Sequence, residues 1–570
     1  MKIFTKIFKD EFLIYIFILI FFFYSVANFI NLGPLVDQAG HIVWFQNLKN
    51  TKYLFTIESI TDIQKFLIDE NGFLYQLLKP AYNSGDYHAY LFQINSVLTV
   101  LLFSFLLNFN PIETYNITSI FFSSFAILIN YKILIFLLKD YKFFKDKLEN
   151  KIIYQLIFCV VNISYYKFYF SPLGHHNLGY FFFSLTILFF LNGLNKNISY
   201  FYFKLGVLTS FVIFFQVTLA LLLLPFLTLS IFFKKFRVNK ENFQNFLKFS
   251  PIVFIAMMPF IILIINDLIK SDENFLSLLI GRDAVDSIFY LKKIIMWFSK
   301  MYTLSSPIIF FSFIYSIFIC LKNKKHNFLY LIILIHFMLH IMLGIFYISY
   351  LRNFYYIFNL ILILSAFTFI YIYQSISLKF RIFIPLSLLF INTIYNLNII
   401  FEKNNLFSEE KLMYQYYFED KGDVSKKIEH INNSLNKNKI VFLGDLEKNF
   451  FLAYNYDLTK KNMLIDKPFI NLSNHAGNNS AYSKYIIKKN KITNGDFYLI
   501  SLSEPKNKFI DEIKIFNKLK NFNIINQNCF LLMPHEYKSF IFRPVLTAGP
   551  YKKVSNNDSI EIYLTKIICD

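Results

Sequence analysis

About eleven stretches of this chain are each apolar enough and long enough to cross roughly 30 Å of hydrocarbon, which leaves few architectures open to it. They lie at about 11–31, 88–108, 115–138, 152–170, 177–193, 200–233, 248–267, 306–321, 327–347, 353–373 and 382–400. The 200–233 run is long enough for two passes and divides near Gln216-Val217-Thr218, where polarity returns. Hydrocarbon offers backbone amides and carbonyls no water, so a chain with this pattern folds mainly as a transmembrane helix bundle. Its composition agrees: of 570 residues 56% are hydrophobic and only 16% charged, too apolar for a soluble protein of this size. Phe (75) and Tyr (39) are used heavily alongside Ile, Lys and Asn, a bias typical of AT-rich coding, so single aromatics are read as lipid-facing or core residues. The lysines before the first run, with no small-residue cleavage site after it, indicate an uncleaved first span.

The net charge of +20 marks topology here and not a nucleic-acid partner, because Lys and Arg gather in short loops between apolar runs. The clusters are Lys2, Lys6 and Lys9; Lys139 to Lys151; Lys234, Lys235, Arg237 and Lys240; Lys322, Lys324 and Lys325; and Lys379 with Arg381. The positive-inside rule puts all of them in the cytoplasm. If every run crossed, the first cluster would face away from the others, so one run must not span. The turn Asn108 to Asn116 has no Lys or Arg, and the run 88–108 opens with Asp86-Tyr87-His88 and contains Gln93 and Asn95. That run is assigned as an interfacial or re-entrant helix. About eleven true spans result, with a cytoplasmic N-terminus in the inner (cell) membrane.

From about residue 402 the chain turns Asn- and Lys-rich, with strand-like runs at Ile440-Val441-Phe442-Leu443 and Phe497-Tyr498-Leu499-Ile500. This predicts two domains, 1–401 in the membrane and 402–570 as an extracytoplasmic α/β domain. Cys159 and Cys320 lie in apolar runs, while Cys529 and Cys569 lie in the C-terminal region, where a bridge between them is open. No metal-ligand spacing and no nucleotide-binding signature occurs, so substrate must arrive already activated through the membrane.

With this topology the misplaced polar groups share the outer face. Asp37 follows the first span in Gly33-Pro34-Leu35-Val36-Asp37-Gln38-Ala39-Gly40-His41, with His41 four residues on and on the same face of a helix. A partly desolvated carboxylate there suits a general base with its pKa raised toward neutrality. His175 and His176 occupy the turn Ser171-Pro172-Leu173-Gly174-His175-His176-Asn177. Imidazole there hydrogen-bonds a phosphate or sugar hydroxyl, or offsets charge on a leaving group. Arg352 lies in Ser349-Tyr350-Leu351-Arg352-Asn353, an arginine on the face where the topological rule disfavours one, and its fork matches phosphate oxygens. Arg282, with Asp283, Asp286, Lys292 and Lys293 in the loop 268–305, forms either a solvated helix face or a cover for a lipid headgroup. His336 and His340 share a helix face within a span, where hydrogen bonding inside the bundle accounts for them better than metal.

This layout resembles the GT-C superfamily of integral-membrane glycosyltransferases, which includes protein O-mannosyltransferases and lipid A aminoarabinose transferases. The matching pieces are Asp37 after the first span, the interfacial segment 88–108, the turn His175-His176-Asn177, the double pass from Lys204-Leu205-Gly206-Val207 to Leu224-Pro225, the late outer-face Arg352 and the C-terminal domain. The resemblance covers roughly residues 1–400 and is architectural. It implies transfer of a sugar from a polyprenyl-phosphate carrier to a cell-envelope lipid, glycan or protein acceptor. Asp37 would then take the acceptor's proton, and Arg352 would hold the carrier phosphate. Many members have Asp-Glu where this chain has Asp37-Gln38, and a second acid where it has His175-His176. No cofactor is required, and a divalent metal stays open. The competing readings are an O-antigen ligase or polymerase, which concentrates such residues in one large late loop, and a lipid-linked glycan transporter, for which no inverted repeat is present.

Overall fold

The computed structural model describes residues 2–30, 42, 45, 48–49, 87–107, 109, 111–141, 148–165, 174–194, 200–215, 219, 223–224, 227–228, 240–270, 306–322, 355–376, 383, 386–387, 390–394, 439–442, 497–503, 516–517, 520, 526–531, 538–542 and 560–568. These are mostly helical, as the apolar runs predict. In chain order the helices are α1 (Lys2–Phe29), α2 (Tyr87–Leu106), α3 (Pro111–Asp140), α4 (Leu148–Val161, followed by a 3-10 turn Asn162–Tyr165), α5 (Gly174–Leu194), α6 (Phe201–Phe215), α7 (Lys240–Lys270), α8 (Pro307–Lys322) and α9 (Tyr355–Ser375). Each falls on an expected apolar run. The run 327–347 lies outside the described residues, as does the break at 216–218, although α6 ends at Phe215 immediately before it.

Among the described residues one helix, Pro111–Lys139, is long and apolar enough to cross a membrane. The other apolar segments, such as Glu11–Ala27, Asn177–Gly193 and Asn359–Ser375, are of 10–17 residues. At 1.5 Å per residue those fall short of a full hydrocarbon thickness.

The described residues divide into two compact units, Met1–Ala27 with Ser119–Ile261 and Leu276–Leu406, and Asn28–Thr118 with Ile262–Phe275 and Phe407–Asp570. In the first unit, side-chain contacts set the helix directions. The Phe122 ring meets Phe181 at 5.2 Å, and Asn177 donates to the Ser119 carbonyl at 3.4 Å, so α3 and α5 run parallel. Phe182 stacks on Phe211 and Phe215, and Phe189 on Phe201, so α5 and α6 run antiparallel. Asn130 donates to the Asn359 amide oxygen at 3.1 Å and the Tyr141 ring meets Phe367, which sets α9 parallel to α3. Ser365 Oγ and Thr368 Oγ1 donate to the carbonyls of Ile309 and Ser312, each at 2.8 Å and each 56 residues away, so α8 and α9 are parallel too.

Hydroxyl and amide side chains are buried in this unit alongside large apolar ones such as Phe158, Tyr180 and Phe313, while other large apolar residues are exposed. Ser123, Ser124, Asn130, Thr186, Thr209, Asn359, Ser365 and Thr368 are buried. On α8 the large apolar residues Phe311, Tyr315 and Phe318 are exposed, at helical spacing, while Ile309, Ser312, Phe313 and Ser316 are buried. Small residues permit close approach: a Cβ on Gly206 would stand 3.1 Å from the Phe249 carbonyl oxygen, which as backbone cannot swing aside. Ser306 caps α8 at φ 74°, with its hydroxyl donating to Asn392 Oδ1 at 2.7 Å and Pro307 next, a residue suited to the first helical position.

In the second unit, Asn116 donates its amide to the carbonyl of Ile30 at 3.1 Å. Five strands, β1 (Lys439–Phe442), β2 (Phe497–Ser503), β3 (Phe530–Leu531), β4 (Lys538–Phe542) and β5 (Ile560–Ile568), form one mixed sheet. β1 and β2 are the two strands expected from sequence, and they pair in parallel from Lys439↔Phe497 to Phe442↔Ile500. β5 pairs antiparallel with β2 along one edge, and with β3 and then β4 along the other. Six residues separate Leu531 from Lys538, whereas two separate their partners Ile567 and Leu564. Pro534 falls in that interval and has no amide for a ladder.

Asn130 joins three helices, because its amide oxygen also accepts from the Tyr180 hydroxyl at 3.1 Å. Asn130→Ala should lower unfolding stability in detergent by about 1–3 kcal/mol. Ser375→Ala removes a hydroxyl that bonds only within its own turn at an exposed site, and should change stability by less than about 0.5 kcal/mol. Equal thermal midpoints for the two variants would contradict the seam's role.

Candidate functional site

Four of the six candidate residues, Asp37, His41, Arg282 and Arg352, lie outside the described residues. His175 and His176 are within them. The sequence places both histidines in a turn, but α5 already begins at Gly174, so they belong to its first turn. The reason is local: once past Pro172, nothing in Gly174-His175-His176-Asn177 breaks a helix, and Asn177 is fixed by its bond to the Ser119 carbonyl. Asn177 is buried at the edge of the bundle, beside the also buried Leu178 and Tyr180.

The opening amides of a helix have no intrahelical acceptor and carry the positive end of its dipole. Of His175 and His176 the backbone alone is described; their side chains lie outside the described residues. Among the described residues no group of three or more His, Cys, Asp or Glu comes together.

The sequence reading overlooked a second polar cluster. α1 is broken at Glu11, whose φ of −140° and ψ of 27° are not helical. The break strips the helix that resumes after it of acceptors for its opening amides. One of these, the Leu13 amide, donates instead to Gln155 Oε1 of α4 at 3.0 Å. The Leu13 carbonyl accepts from Cys159 Sγ of α4 at 3.9 Å. The Glu11 carboxylate lies against the Lys132 ammonium of α3, while its second oxygen is buried with no hydrogen-bond partner among the described residues. α1, α3 and α4 are therefore joined at one level by an ion pair and a side-chain cap.

A signal for this cluster exists in the sequence. Lys132 and Gln155 are polar residues inside apolar runs, Glu11 stands at the edge of one after Lys9 and Asp10, and the charges of Glu11 and Lys132 are opposite. Pairing them requires knowing that residues 121 positions apart meet, which no spacing rule supplies.

No protein-family model matches the chain, and no curated protein matches it.

Removing Lys132 leaves a largely buried carboxylate without its cation. Lys132→Met should cost about 1–3 kcal/mol, less than a fully buried pair because the lysine side chain is 41% exposed. Glu11→Gln combined with Lys132→Met should recover most of that loss, as measured by thermal unfolding of all four members of the cycle. Strictly additive effects would mean that the pair is not coupled.

Proposed function

We propose that the chain is an integral-membrane glycosyltransferase of GT-C type, moving a sugar from a polyprenyl-phosphate carrier to a lipid, glycan or protein of the cell envelope. The observation that carries this reading is the placing of Asp37, His175, His176 and Arg352 in stretches beside apolar runs, 32–48, 171–177 and 349–353, that contain no lysine. Lysine-rich connections alternate with them and assign these residues to the outer side.

Two structural features support the membrane part of the reading. The first unit buries hydroxyls and amides among its apolar side chains and also exposes Phe, Tyr, Leu and Ile in stripes, a surface expected where the solvent is lipid. Its helix directions also agree with the lysine bookkeeping, which has α3, α5, α8 and α9 descending from the outer face and α6 rising. The side-chain contacts make the first four co-directional and α6 opposed to α5. Parallel α8 and α9 require the chain to return between them, which is the role given to the run 327–347.

The C-terminal sheet adds an independent argument about sidedness. Cys529 is buried and disulfide-bonded, and Cys159 is free. Cys569, the other cysteine that the sequence places in the C-terminal region, lies outside the described residues. A Cys529–Cys569 bridge persists in an oxidising compartment, in keeping with an extracytoplasmic domain.

The proposed chemistry needs positioning, a base and charge stabilisation. Asp37 accepts the proton of the acceptor hydroxyl, whose oxygen bonds to the anomeric carbon as the bond from that carbon to the carrier phosphate breaks. Arg352 holds the departing phosphate bidentately, and His176, at the electropositive start of α5, offsets its charge. His175, His41 and Arg282 complete the contacts to sugar and carrier.

Asp37→Asn should lower transfer of labelled sugar from a polyprenyl-phosphate donor by about 10²–10⁴-fold with normal membrane insertion. Unchanged transfer would remove Asp37 from the base role. For the domain, Cys569→Ser should expose Cys529 to alkylation under non-reducing, denaturing conditions, whereas the unaltered chain should show Cys529 and Cys569 in one disulfide-linked peptide. Alkylation of Cys529 in the unaltered chain would contradict an extracytoplasmic sheet.

A further inference from the structure

The break in α1 divides it into two segments of different character. After Glu11 the helix is a uniformly apolar run whose Phe12, Leu19, Ile20 and Phe23 are exposed. Before it stands the helical stretch Lys2-Ile3-Phe4-Thr5-Lys6-Ile7-Phe8-Lys9-Asp10. At 100° per residue, positions 2, 6 and 9 fall on one face of that stretch, and positions 3, 4, 7 and 8, all Ile or Phe, fall on the opposite face. A segment divided this way, with a basic face and an aromatic-rich apolar face, suits the boundary between headgroups and acyl chains.

The break is fastened and not merely tolerated. Glu11 is held by Lys132 of α3, and the first amides after the break are capped by Gln155 of α4. Both anchors come from the bundle and both hold α1 at the same level. A continuous helix would need neither, since its own carbonyls would accept those amides. The fastening fixes the point where α1 changes direction.

We propose that residues 2–10 form an in-plane anchor that docks on the anionic lipid surface of the cytoplasmic leaflet, with Glu11 as the corner between surface and span. The proposal rests on the reading of α1 as a membrane span. The occupant is anionic phospholipid because three lysines share one face, positions 3, 4, 7 and 8 opposite are all Ile or Phe, and the one acid, Asp10, falls at the margin between the two. Each lysine held near such a surface contributes roughly fivefold to partitioning, so the three together contribute on the order of a hundredfold.

The test uses the full chain with Trp44 and Trp297 replaced by Phe, carrying a single new tryptophan, either Phe8→Trp in the anchor or Leu19→Trp in the span. Each protein is reconstituted in vesicles of phosphatidylcholine alone or mixed with phosphatidylglycerol, with bromines carried either near the headgroup or near the chain ends. The tryptophan at position 8 should be quenched by shallow bromines in the anionic vesicles, and weakly in phosphatidylcholine alone. Lys2→Gln, Lys6→Gln and Lys9→Gln together should abolish the difference between the two vesicle types. Equal quenching of position 8 in both types, or none in either, overturns the anchor. The tryptophan at position 19 keeps the two readings apart: deep-bromine quenching there with none at position 8 rejects the anchor alone, and loss of quenching at both positions rejects the span.

Discussion

A polar group buried away from water finds no partner except another part of the protein, and the first unit is arranged around that constraint. Its helices meet through hydroxyl and amide side chains that either bond back to their own turn, as Thr209 does to Leu205, or reach across to a neighbour, as Ser365 does to Ile309. The second kind fixes helix direction as well as proximity. Ser365 and Thr368 reach carbonyls at one constant offset, which only a parallel neighbour satisfies. Asn130 does the same for three helices through its two bonds to Asn359 and Tyr180. Each such bond contributes about 0.6 kcal/mol by the usual measure in membrane bundles, so their value lies in specifying one arrangement more than in strength.

The same constraint makes the broken helix α1 informative. A break within an apolar run frees backbone amides that water would otherwise satisfy, and the chain supplies Gln155 as the substitute. It also sets a carboxylate there, whose partner Lys132 comes from the long helix α3. The neighbouring turns of α3 and α4 carry the contact of Tyr131 with Phe158, with ring centroids 5.3 Å apart.

Much of the helical layout was legible in the sequence because the helices follow long apolar runs, which are visible without tertiary knowledge. All nine helices among the described residues lie on such runs, and β1 and β2 lie on the two hydrophobic stretches chosen as strands. The start of α5 was not legible, because Pro172 and Gly174 advertise a turn while the bond from Asn177 to Ser119 draws the helix back to Gly174. The interrupted edge of β3 and β4 escaped for a related reason: its change in register appears only once β5, near the end of the chain, is paired. Of the candidate site, Asp37, His41, Arg282 and Arg352 lie outside the described residues, and their common side is an expectation from the lysines. The Glu11–Lys132–Gln155 cluster was not, since its members are ordinary one at a time and acquire meaning only where three helices meet.

The central claim is that the candidate residues share the outer face of a membrane, and sidedness tests it most directly. Single cysteines placed at 108–114 and at 139–151 flank α3, and these would be treated in intact cells with a membrane-impermeant thiol reagent. The claim predicts labelling at 108–114 and protection at 139–151 until the membrane is opened. Labelling of both segments, or protection of 108–114 with labelling of 139–151, would contradict it.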